Sequence, residues 1–217
     1  MVTAADVLGL ITGKVERMFD SDRQKPGVEG LASVAGSWDV ADEDKLGELI
    51  LYAAGQLLDD PTGGAVKINK VLYFAECAHI RSLGVPITGV AYQKLPQGPA
   101  PRQLKPVRER LIDSGAARLE ISDFLGMPQH RLIPLRGPRP NALTQAERDT
   151  VDQVIGALWS MTGKQVSDLS HRELGWRMVD EYEDIPLSAA YLPRKAFMSE
   201  SARKRARELA ESLPGTD

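Results

Sequence analysis

A chain of 217 residues, 42% hydrophobic and 26% charged, is long enough to bury a substantial core and is expected to fold as one compact domain with decorated ends. A net charge of -3 excludes a general polyanion binder, which needs excess Lys and Arg to displace counterions. The single Cys77 excludes an internal disulfide, and no apolar run approaches the roughly 18 residues of a membrane span, so a buried thiol and a cytoplasmic location are expected.

In chain order, Ala4, Val7, Leu8, Ile11, Val15, Met18 and Phe19 form one stripe at helical spacing, with Thr3 and Asp6 placed to cap it. Over 20–37 the apolar period breaks and glycines accumulate. Residues 1–37 therefore read as an amphipathic helix plus linker, and the main domain as 38–193. Asp42 and Asp44 suit a helix start ahead of Leu46, Leu49, Ile50, Ala53, Leu57 and Leu58, and Asp59-Asp60-Pro61 ends that helix. Gly63-Gly64 reads as the turn into a second helix with the stripe Ile68, Val71, Leu72, Ala75 and Ala78, closed by Gly84. The two are expected to pack as a hairpin.

The stretch 85–93 has strand-like content around Pro86, and the prolines of 96–101 are expected to forbid regular structure while stiffening the loop. A third helix runs through Leu104, Val107, Leu111 and Ile112, with Pro106 tolerated in the first turn. Partial alternation over 117–121 and 130–135 predicts a small hairpin. Thr144 and Glu147 form a capping box for a helix that buries Val151, Val154, Ile155 and Leu158. A second box is read at Ser170 and Glu173, with Leu169 and Leu174 as its hydrophobic staple. Residues 194–217 read as a charged helix whose basic cluster makes an ordinary solvated face.

Motifs for chemistry are sparse. His79, His130 and His171 carry neither HExxH nor a cysteine pair, and Gly63-Gly64 ahead of Lys67 lacks phosphate-loop spacing, so no metal and no cofactor are expected. Ser170 beside His171 is not a dyad, because successive helical residues point about 100 degrees apart; capping explains Ser170 better. Asp59-Asp60 and Glu181, Glu183 and Asp184 read as solvated carboxylates at helix ends. His171 reads as a first-turn residue whose protonation the helix dipole disfavours, with Trp176 near it, while Tyr73, Phe74 and Tyr92 suit a core or an interface equally. No residue is assigned to catalysis.

The run Val66-Lys67-Ile68-Asn69-Lys70-Val71-Leu72-Tyr73-Phe74-Ala75 is followed by Pro86-Ile87-Thr88-Gly89, Tyr92 and Gly98-Pro99. Asp168-Leu169-Ser170-His171-Arg172-Glu173 and Trp176 come later. In this order, over about 46–192, these elements resemble the Panacea domain of SocA-like antitoxins. The resemblance implies a mainly α fold with a small β element (α+β), encoded beside a toxin that it neutralises by direct protein–protein binding. Lys70, Tyr73, Tyr92, His171 and Trp176 are then partner-binding motif residues of mixed structural and contact role. The expected affinity is nanomolar, on the order of 12 kcal/mol, with no membrane or nucleic acid as partner.

Two alternatives stay open: a proteolytic adaptor that delivers its toxin to a protease, as one family member does, and a hydrolase or nucleotide-binding enzyme, which needs a convergent polar pocket. Two features depart from the family pattern. Gly175 stands before Trp176 where the family tends to have proline, and the first forty residues lie outside the resemblance, as a toxin-contacting arm or a segment packed on the domain.

Overall fold

A computed structural model describes residues 41–124 and 126–191. The helices expected in 1–37 and 194–217 lie outside the described residues. The fold is mainly helical with two small antiparallel sheets, in agreement with the α+β expectation.

Helix α1 (Glu43–Gln56) begins where Asp42 accepts the Lys45 amide at 2.8 Å, with Glu43 and Asp44 in its first turn. Its predicted stripe is buried from Leu46 through Ala53 to Leu57 beyond its end, but Leu58, read as part of it, is 45% exposed because the chain has already left the helix. Helix α2 (Ala65–Leu83) ends at Gly84 and is the axis of the domain. It is buried on nearly all sides because α1, α4 (Gln145–Leu158), α5 (Gly163–Ser170) and the 3-10 helix Leu187–Tyr191 all pack against it. Cys77 lies within it, and burial raises its thiol pKa to about 12.

The turn between α1 and α2 departs from expectation. Asp59 is exposed, but Asp60 is fully buried, pairing with Lys67 Nζ at 2.6 Å and accepting from the Thr62 amide and hydroxyl at 2.9 and 2.7 Å. Burial works against its charge, but the bonds from Lys67 and Thr62 outweigh it and hold the carboxyl below its ordinary range. The reading of Asp59-Asp60 as a solvated pair therefore fails for Asp60, because its cation comes from the next helix.

In 85–93 only β1 (Tyr92–Gln93) is strand. The preceding turn is fixed by Glu76 of α2, a buried carboxylate that accepts the amides of Ile87 and Thr88 at 2.6 and 2.9 Å. The proline stretch does contain regular structure, since β2 (Ala100–Pro101) pairs with β1, and β5 (Asp184–Ile185) pairs on the other side. Pro101 is tolerated because β2 is an edge strand, where a missing amide breaks no ladder.

Helix α3 (Leu104–Asp113) keeps Pro106 in its first turn as expected. The hairpin of β3 (Ala117–Phe124) and β4 (Met127–Pro134) is longer than its alternation suggested, because its outer half is largely exposed and no buried face imposes an alternation there. The Thr144–Glu147 capping box forms as read, and Glu147 also binds Lys45 of α1 at 2.6 Å.

The second capping box is displaced. Helix α5 is capped by Thr162 and Gln165 and ends at Ser170, whose hydroxyl donates back to the Ser167 carbonyl at 2.8 Å. His171 is its C-cap rather than a first-turn residue, and α6 (Leu174–Arg177) starts after Glu173. Glu173 turns instead toward Arg81 of α2 at 3.4 Å.

Candidate functional site

Most of the quoted motifs meet at one place, the loop of residues 94–99 between β1 and β2. Side chains from three helices hold its backbone. Lys70 of α2 donates to the Pro99 carbonyl at 3.0 Å, Ser167 of α5 to the Gln97 carbonyl at 3.0 Å, and the Trp176 indole of α6 to the Leu95 carbonyl at 3.4 Å. Gly98 sits between these grips at φ +96°, where a Cβ would overlap Ser170 Oγ and lie 2.8 Å from Lys70 Cε. Only glycine combines that dihedral with that approach.

The electrostatics of the cluster follow from its dryness. Lys70 is 1% exposed, with the Pro99 carbonyl as its acceptor, and burial lowers its pKa to about 7. His171, partly buried, is also held below the usual histidine range, first by desolvation and then by the Lys70 charge. The expected direction for His171 holds for a different reason. A helix C-terminus favours the cation, and burial beside a lysine overrides it.

Tyr73 and Tyr92 lie in the core behind the loop, 3% and 0% exposed, with ring centroids 5.4 Å apart. Tyr92 Oη and His171 Nε2 are buried without a hydrogen-bond partner among the described residues. The His171 ring stacks on Trp176, which is half-buried. Of the other groups considered for chemistry, His79 bonds Thr150 at 3.1 Å and Ser170 is committed to its own helix. Among the described residues no group of His, Cys, Asp and Glu is arranged to hold a metal ion.

Beside the loop lies a groove of about 810 Å³ between the start of α2, the start of α5 and the hairpin. Its apolar lining includes Val66, Leu119, Phe124 and Met127, and its basic lining includes Arg108, His130 and Lys164. Gln97 of the held loop forms part of its wall.

The family model for the SocA-like antitoxin, Panacea domain, matches residues 68–177. The chain belongs to this family. No curated protein and no solved structure matches it. The matched Panacea region holds Lys70, Tyr73, Tyr92, His171 and Trp176, and the structure gathers all five around or behind one loop. No helix among the described residues is long and apolar enough to cross a membrane.

Sequence reasoning missed three parts of this antitoxin domain: the Asp60–Thr62–Lys67 cluster, the Glu76 clamp and the groove. The Thr162–Gln165 box was detectable as a Thr-x-x-Gln pattern ahead of Val166 and Leu169. The groove was not, because its walls come from separate stretches of the chain, within 62–69, 119–130 and 162–164 together with Gln97 and Arg108.

Proposed function

We propose that the protein is the antitoxin of a toxin–antitoxin pair and that it neutralises its toxin by direct binding, without catalysis, in the cytoplasm. The family match over 68–177 carries this reading. In it, the domain of 38–193 presents the contact surface, and the motif residues serve mainly by position. Lys70 and Trp176 hold the 94–99 loop, Tyr73 and Tyr92 back it, and the His171–Trp176 stack fixes its edge.

Co-expression with the product of each adjacent open reading frame tests the proposal. Restored growth with a stable co-purifying complex is the expected result. The reading fails if no neighbour is toxic. Disappearance of the toxin that stops when cellular proteases are inhibited replaces neutralisation with delivery to a protease.

A further inference from the structure

We infer that the groove between α2, α5 and the β3–β4 hairpin receives an acidic, apolar segment of the toxin. The inference rests on the antitoxin reading and adds to it the chemistry of the partner and the place where it binds.

The first ground is exposed apolar surface. Met127 is 70% and Leu119 43% exposed, and both line the groove with Val66 and Phe124. Hydrophobic surface gathered in a concavity and rimmed by polar groups marks an interaction site more often than scattered exposed residues do.

The second ground is charge. Among the described residues, none that lines the groove carries a carboxylate, while Arg108, His130 and Lys164 all do line it. Arg108, partly buried on α3, has no ion pair or hydrogen bond among the described residues. Among the described residues Lys164 pairs only with an exposed partner on its own helix, Asp168 at 2.9 Å, an arrangement worth little in water. Lys67, by contrast, is already neutralised by Asp60. An occupant with Asp or Glu among apolar side chains matches both the lining and its rim, and the positive charge of Arg108 and Lys164 would also speed its encounter.

A small polar ligand fits less well. Such sites converge buried polar groups on the ligand, yet the unpartnered buried atoms Tyr92 Oη, Gln103 Oε1 and His171 Nε2 belong to residues that do not line the groove.

The test uses the full chain and the toxic product of the adjacent gene. Combining Arg108→Glu with Lys164→Glu should weaken binding roughly 10- to 100-fold, mostly through slower association, and should abolish the weakening of binding by salt. Met127→Asp should weaken it similarly, whereas Arg177→Glu, an exposed charge reversal outside the groove, should not. A benzophenone amino acid at Leu119 should cross-link to a toxin segment containing Asp or Glu, and thermal unfolding should show each variant folded. If the wild type neutralises its toxin and the groove variants do so equally well, the groove proposal is overturned while the antitoxin reading stands. Cross-linking of Leu119 to residues 1–40 or to a second copy overturns it as well. If the wild type binds no toxic neighbour, both fall together.

Discussion

The Trp176 indole stacks on the His171 imidazole with ring centroids 4.1 Å apart and planes 16° from parallel, and Lys94 Nζ stands 4.3 Å from the indole centroid. One side chain of α6 thus ties the end of α5 to the start of the loop. Trp176→Ala should cost about 2 kcal/mol through the lost stack, cation–π contact and packing. For a chain of this size that lowers Tm by about 4–8 °C. Hydrogen exchange in 94–99 should rise in the same variant. Unchanged exchange there would show that Trp176 does not hold the loop.

Lys70 makes stability depend on pH. Burial lowers its pKa from 10.5 to about 7, so between these values the unfolded chain holds a proton that the folded chain has released. Stability therefore rises with pH through that interval, by up to about 1.4 kcal/mol per pH unit. Below pH 7 both states are protonated and the contribution flattens. Urea unfolding from pH 6 to 9.5 should show this rise in the wild type and its absence in Lys70→Met. Parallel curves would mean that the amine keeps an ordinary pKa.

Glu48 acts in the opposite sense at acid pH. Side-chain bonds from Arg136 lead the causes that bring its pKa from 4.5 to about 2 against burial, with further bonds from Arg139. Its stabilisation is complete above 4.5 and is lost as the pH falls toward 2, at most about 3 kcal/mol. The partly exposed arginines reduce that figure through solvent screening. Glu48→Gln should be less stable at pH 7 and should lose less between pH 4.5 and 2, which acid titration followed by circular dichroism can read.

Gly175, ahead of Trp176, is explained by a neighbour. A Cβ there would lie 2.8 Å from Ala189 Cβ and 2.9 Å from Ile185 Cγ2. The backbone is not the obstacle, since the first turn of a helix accepts proline. Gly175→Ala should cost about 1–3 kcal/mol by overpacking, and adding Ala189→Gly should recover part of it. Additive losses in this double-mutant cycle would place the strain elsewhere.

What could be read beforehand depended on how local the determinants were. The starts of α1 and α4 were legible because Asp42 and Thr144 bond amides three residues away. Ser170 and Glu173 have the same spacing, yet Ser170 turns back to Ser167 and Glu173 to Arg81, ninety-two residues earlier. The pattern was real but tertiary contacts used it differently. Asp60 and the upper hairpin were misjudged for related reasons: one is buried by a cation on another helix, and the other has no fully buried face to impose an alternation. At the site, the motif order pointed to the right residues, but only the fold showed that they converge on a loop with a groove beside it.

The three grips on that loop all seize main-chain carbonyls, at alternate positions 95, 97 and 99. The contour is therefore specified without reference to most of the side chains it displays. Gln97 in particular can be exchanged while its own carbonyl stays fastened. Such a design separates shape from chemistry: the frame stays fixed by the main chain while the displayed side chains are free to change.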